Sequence, residues 1–279
     1  MGREANDGFD AETAGRWLDL VRAVLWRYFR PRVIGAEHLP KGRALIVGCH
    51  SGVIPYDAAC TLVAVRDASG RSARAVGDHL FGRLAAVETF LRRNGAIIGK
   101  PETLAAALRA GNLVLLFPGG ARDMERPYAT QRYRVLPHRG FAAGRGGYIK
   151  VALRTRSPIV PLAVVGTEEA HVMLANLPRL ARALTLPLFP WVLFALPLPT
   201  QLYIRFGEPI RLPGTAALAD DQAYVDGLNE MVRSRVQQLI DDTVRRRHSI
   251  FYDSYDDSPP AMTHRRGSRR IKQRSRNAE

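Results

Sequence analysis

His50 and Asp57 are the two residues whose types and spacing best fit chemistry. His50 closes a β-like run, Ala44 to Cys49. Ser51-Gly52-Val53-Ile54-Pro55-Tyr56-Asp57 follows it, and then the helix-compatible run Ala58 to Val65. A histidine at the end of a buried strand, with a carboxylate about two turns further on, can work as an oriented general base. The carboxylate holds one ring nitrogen while the other faces a substrate proton. Such a base can activate a hydroxyl for attack on an acyl carbonyl. A purely structural His–Asp pair fits the same octapeptide, and the pattern alone leaves both readings open.

A second stretch, Asn112 to Asp123, runs an apolar strand into Phe117-Pro118-Gly119-Gly120-Ala121-Arg122. Glycines let a backbone come close to a ligand, and arginine offers a planar fork to phosphate or carboxylate oxygens. No phosphate-binding Gly-x4-Gly-Lys-Ser/Thr loop and no Gly-x-Gly-x-x-Gly fingerprint occurs there. Gly48-Cys49-His50-Ser51-Gly52 is not a nucleophile elbow, which needs serine where His50 stands. Gly95-Ala96-Ile97-Ile98-Gly99-Lys100 ends a short strand on a cation, and Pro158 to Gly166 is an apolar strand opened by proline. Each of these, alone, also fits an ordinary turn or strand.

The elements that must position these residues alternate along the chain. β-like runs at Ala44–Cys49, Ala73–Gly77, Ala96–Ile98, Leu113–Phe117 and Ile159–Val165 are separated by helical runs at Tyr56–Arg66, Phe81–Arg93, Glu102–Ala110 and Tyr148–Arg154. This alternation implies an α/β fold with a single mixed sheet covered by helices. Ligands in such sheets bind beyond the carboxyl ends of strands, which puts His50 and the Gly119-Gly120 turn on one rim. Gln201 to Phe206 alternates like a further strand. A long amphipathic helix is expected behind Asp220 and Asp221, closed by Arg245, Arg246 and Arg247.

Three segments flank or interrupt this core. Trp17 to Arg30 is an amphipathic helix rich in arginine, suited either to a bilayer surface or to packing on the core. Ala183 to Ile204 is uncharged and long enough to span a membrane, but Pro187, Pro190, Pro197 and Pro199 exclude a regular spanning helix. It reads as an apolar loop at a membrane or in an acyl-chain groove, or else as a buried proline-rich crossover. The run Arg265 to Arg276 is basic and almost without hydrophobic residues, the composition of a disordered tail. The expected division is therefore 1–31, 32–247 and 248–279.

At 279 residues and 46% hydrophobic content, the chain suits one large packed domain. Cys49 and Cys60 lie in apolar runs and read as core residues of a reducing compartment. No secretory pattern follows Met1 to Asp7, so the expected place is the cytoplasm or, peripherally, the cytoplasmic face of a membrane. A net charge of +15 implies an anionic partner: nucleic acid, an anionic membrane surface or a phosphate-rich molecule such as coenzyme A.

Taken in order, the His50…Asp57, Gly95…Lys100, Phe117-to-Arg122 and Pro158-to-Pro161 blocks, followed by Gly207-Glu208-Pro209-Ile210, resemble the glycerolipid acyltransferase family. The resemblance covers roughly Arg32 to Ile210. It implies transfer of an acyl chain from acyl-CoA, or from an acyl carrier protein, to the hydroxyl of a lipid acceptor, with no acyl-enzyme, no cofactor and no metal. His50 would be the base and Asp57 its orienting carboxylate. Arg122 and Lys100 would bind donor or acceptor phosphate, alongside Gly95, Pro118, Gly119 and Gly120. Six residues separate His50 from Asp57 where the family has four. Gly119 stands where the phosphate-acceptor branch carries glutamate, so the resemblance leans toward the mono- and diacylglycerol acyltransferase-like branch and a neutral lipid alcohol.

Three other readings fit parts of the sequence. A metal site would have to join Asp78 and His79 to His50 and Asp57, but adjacent residues rarely share one ion and no His-x-x-His or cysteine pair supports it. Asp78 reads better as a helix cap. Tyr128 and Tyr133 among arginines fit nucleic-acid stacking, although no recognised module is present and no specific nucleic acid is expected. A catalytically inactive lipid-binding protein on the same scaffold rests on the irregular His50–Asp57 spacing alone.

Overall fold

Unbroken apolar runs such as Leu113–Leu116 and Ile159–Val165 belong to strands buried on both faces, which requires helices above and below one sheet. The computed structural model describes residues 8–52, 54–77, 85–98, 101–125, 128–135, 146–183 and 189–258. Helix α1 (Ala11–Val21) passes through a π-helical stretch (Arg22–Trp26) into α2 (Arg27–Phe29). There follow β1 (Arg32–Ile34), β2 (Ala44–Gly48), α3 (Tyr56–Ser69), β3 (Arg74–Gly77), α4 (Ala85–Arg93), β4 (Ile97–Ile98), α5 (Pro101–Arg109) and β5 (Leu113–Leu116). A 3₁₀ segment (Gly120–Glu125) and α6 (Tyr128–Gln131) precede α7 (Gly147–Thr155) and β6 (Ile159–Val165). Next come α8 (Thr167–Ala170), β7 (Met173–Asn176), α9 (Pro178–Ala183), β8 (Pro190–Val192), β9 (Tyr203–Phe206) and α10 (Gln222–Arg246).

The main sheet has seven strands in the order β1-β9-β6-β2-β5-β3-β4. β6, β2, β5, β3 and β4 run parallel, while β1 and β9 run the opposite way. β2 lies at the centre, with Ile46 opposite Leu115 on one side and Val160 on the other. Leu45 and Val47 face the side covered by α5, α7 and α10, where they meet Leu108, Ile149 and Val236. Ala44 and Ile46 face α3, where they meet Cys60 and Ala64. Leu18 and Val21 of α1 then close over Val63 of α3, so α3 is held between the sheet and the N-terminal helix. Asp221 caps α10, accepting from the Tyr224 amide at 3.1 Å.

The expected α/β sheet covered by helices is the one observed. Three strands escaped the sequence reading: β1, and the pair β7–β8, which forms a separate two-stranded sheet. Within the uncharged segment Ala183 to Ile204, residues 191–196 are largely exposed, with Leu196 at 80%, so this part is not a buried crossover. Leu202, Tyr203 and Ile204 at its far end are core residues. The chain also stays on the domain past Arg247, where the tail was expected to begin. Ile250 accepts from the Gln201 amide at 2.6 Å, Phe251 from Arg30 at 2.8 Å, and Asp253 pairs with Arg32 at 3.0 Å. The basic run Arg265 to Arg276 lies outside the described residues, as do Asp78, His79 and Lys100.

One buried charge pair ties the end of α10 to α8. Arg247 donates to Glu169 at 2.6 Å, and the two side chains are only 6% and 3% exposed. The Tyr133 phenol donates to the same carboxylate and accepts from the Gly166 amide at 2.9 Å. Burial, with Glu169 beside it, pushes that phenol well above its ordinary pKa. Removing one member of a buried pair strands the other in a poorly solvating interior, at a cost of about 3–5 kcal/mol. Arg247→Met should therefore lower the unfolding free energy by that order in a denaturant titration. An unchanged midpoint would show the pair to be dispensable.

Candidate active site

Asp57 is completely buried, and a buried carboxylate must be surrounded by donors. Three N–H groups face it: His50 Nδ1 at 2.9 Å and the Ser51 amide at 2.8 Å on Oδ2, and the Ala58 amide at 2.7 Å on Oδ1. The loop between His50 and Asp57 doubles back to make this possible. Gly52 adopts φ +89°, and a Cβ there would come within 2.7 Å of the Thr167 carbonyl oxygen. Pro55 then opens α3, so Asp57 falls in its first turn, where the helix dipole favours a negative charge. Ser51 and Thr167 share a hydrogen bond between their hydroxyls, fixing the loop to the start of α8.

The second strand end supplies the other wall. The His50 imidazole stacks on the Phe117 ring with centroids 4.0 Å apart and planes 21° from parallel. Beyond Phe117 the chain turns at once, with the Gly120 amide donating to the Phe117 carbonyl at 3.0 Å and Gly120 at φ +51°. The Arg122 amide donates to the Gly119 carbonyl at 3.2 Å, and the Arg122 side chain is exposed. Asp123 is buried, and one of its oxygens accepts from the His50 amide at 3.4 Å. A Cβ on Gly119 would lie 1.9 Å from the Asp123 carboxylate, so Asp123 keeps this orientation only because position 119 has no side chain.

This site lies inside the part of the chain that known proteins share. A family model described as Acyltransferase matches residues 30–165, which include His50, Asp57 and the Gly119-Gly120 turn. An uncharacterized protein of Mycobacterium tuberculosis is 34% identical over 245 residues, covering 84% of this chain and 67% of its own. The chain belongs to the glycerolipid acyltransferase superfamily. A "DGAT1/2-independent enzyme synthesizing storage lipids" of Mus musculus is 27% identical over 228 residues, 78% of this chain and 61% of the mouse protein. The crystal structure of a 1-acyl-sn-glycerophosphate (LPA) acyltransferase, PlsC, from Thermotoga maritima has the same fold. It superposes with a TM-score of 0.52 at 18% identity, over 81% of this chain and 79% of that one.

In this acyltransferase the adjacent ends of β2 and β5 bring His50, Asp57, Pro118, Gly119, Gly120 and Arg122 to one rim. Gly95 is not among them. It precedes β4 and so lies at the amino end of that strand, where its carbonyl accepts from Arg74 Nε at 2.9 Å and its α-carbon faces Phe9. Among the described residues no cluster of three His, Cys, Asp or Glu side chains could hold a metal ion. Burial, with the Asp57 charge second, pushes the Cys60 thiol up to about 12, so it carries no nucleophilic thiolate near neutral pH. The sequence reading missed Asp123 and Thr167, whose roles depend on which loops meet.

The Gly119 contact generates a direct test. Gly119→Ala places a methyl inside the Asp123 carboxylate, which must swing away and release the His50 amide it accepts from, leaving the His50 backbone less firmly placed. A displacement of about 1 Å at a catalytic group can cost on the order of 10²-fold in rate. Turnover of the variant should fall by that order in an acyl-transfer assay while circular dichroism stays that of the parent. Parental turnover would show that the turn relaxes without moving His50.

Proposed function

We propose that this acyltransferase moves a fatty acyl chain from an acyl-CoA thioester to the hydroxyl of a glycerolipid or other lipid alcohol, with His50 as general base and Asp57 as its orienting carboxylate. The observation that carries the reading is the 2.9 Å contact between His50 Nδ1 and the fully buried Asp57. With Nδ1–H donated to the carboxylate, Nε2 holds the lone pair. It takes the proton of the acceptor hydroxyl as that oxygen attacks the thioester carbonyl. The tetrahedral intermediate then breaks its C–S bond, and the departing thiolate recovers the proton from the imidazolium. Asp57 stabilises that transient cation from below. An acyl carrier protein thioester would present the same carbonyl. The folded-back loop also accounts for the six-residue spacing, which was the sole support for an inactive scaffold.

Arg122, exposed beside this rim, suits the phosphate of whichever substrate carries one, with Lys100 as the second cation. Gly119 in place of a carboxylate-bearing residue favours a neutral acceptor. The net charge of +15 supports peripheral contact with an anionic membrane surface, on the cytoplasmic face. No helix among the described residues is long and apolar enough to cross a bilayer.

Labelled acyl-CoA incubated with a panel of lipid alcohols should give acylated lipid. Free fatty acid as sole product would make the protein a thioesterase and end this reading. His50→Ala should reduce turnover by about 10²- to 10⁴-fold, the range for loss of a general base. Near-parental turnover in that variant removes His50 from the chemistry. Arg122→Ala should raise KM for the phosphate-bearing substrate and change kcat little, and an unaltered KM for both substrates would take Arg122 out of the site.

A further inference from the structure

The excursion between α8 and β9 presents many of its described apolar side chains to solvent. Among the described residues β7 and β8 pair only with each other, apart from the main sheet. A lone hairpin gains little stability in water. Leu174 and Trp191 on its strands, Leu180 on α9, and Leu193, Phe194 and Leu196 just after β8 are all exposed, Trp191 by 58%. Exposed apolar residues concentrated in one element mark a surface that meets something apolar.

The excursion is also continuous with a second apolar stripe. Leu20, Val24 and Tyr28 recur at four-residue intervals on the N-terminal helix, and all three are exposed. The Tyr28 phenol donates to the Pro197 carbonyl, so the stripe ends on the excursion itself. At its base the His171 ring stacks on Tyr56 at 5.9 Å, one residue from Asp57. The surface therefore borders the loop that carries His50.

Charge selects the partner. From His171 to Gly207 the sequence has no aspartate or glutamate, whereas Arg179 and Arg182 lie on α9 between the exposed leucines. Tryptophan and leucine beside unopposed arginines suit the acyl–headgroup boundary of an anionic bilayer, which takes the apolar groups into its interior and the guanidinium groups among phosphates.

We propose that the β7–β8 hairpin and α9, together with the Leu20–Val24–Tyr28 stripe, form the face that seats this protein on an anionic bilayer. A lipid acceptor then reaches His50 without leaving the membrane. The inference rests on the lipid-alcohol reading for its purpose and is tested independently of it.

Flotation with vesicles of equal parts phosphatidylcholine and phosphatidylglycerol should retain the full chain. The double variant Trp191→Ser/Leu196→Ser should bind at least about tenfold more weakly, given the apolar surface removed. Trp191 emission, taken as the difference between the parent and Trp191→Phe, should shift to the blue on adding vesicles. Arg179→Gln/Arg182→Gln should reduce the preference for these vesicles over pure phosphatidylcholine. Undiminished flotation of the double variant, or an unmoved Trp191 spectrum, overturns the proposal. So does a dimer in solution that the double variant splits, since the face would then belong to a second copy.

Activity separates the two readings. The double variant should match the parent on a short-chain acceptor dissolved in water and lose at least about tenfold on acceptor embedded in vesicles. If the parent acylates neither acceptor yet floats through Trp191, the catalytic reading fails and the docking face stands.

Discussion

A carboxylate taken wholly out of water must be met by donors, and most of the candidate site follows from how the Asp57 carboxylate is met. One donor comes from the His50 ring, one from the backbone of the residue after it, and one from the first turn of α3. Strand end, loop and helix start therefore converge on a single group. The ring that Asp57 holds is also the general base proposed above. Structural satisfaction of the carboxylate and chemical orientation of the imidazole are one and the same contact.

The rest of the molecule keeps that convergence rigid. α3 lies between the sheet and α1, so its first turn cannot drift from the end of β2. The loop after His50 is fastened to α8 through Ser51 and Thr167, and α8 is fastened to the end of α10 through Glu169 and Arg247. A segment far along the chain thereby steadies residues near its beginning. Phe117 completes the wall by lying flat against the imidazole, which limits rotation about the ring plane.

How much of this was readable beforehand depends on which physical signal each part carries. β2, β5 and β6 were legible because strands buried on both faces are unbroken runs of apolar residues. His50 and Asp57 were legible as a pair in contact, but how the chain closes a seven-residue offset was not, since that depends on Gly52 packing the loop against Thr167. Gly95 was misplaced for a related reason. It shares a short run with Lys100 in the sequence, but it comes before β4, so it lies at the amino edge of the parallel strands, opposite the edge that carries His50. β7 and β8 gave no signal because alternation reports one buried and one wet face, whereas this hairpin is apolar outward. Asp123 gave none because its burial comes from the neighbouring strand end.

The empty space at Gly119 has a consequence for related sequences. The volume that a side chain there would need is held by a carboxylate arriving from four positions later. On this backbone a side chain at the first position and the present orientation of the acid at the second exclude each other. A sequence that carries a side chain at the first position must turn the second acid away, and the histidine backbone then loses that acceptor.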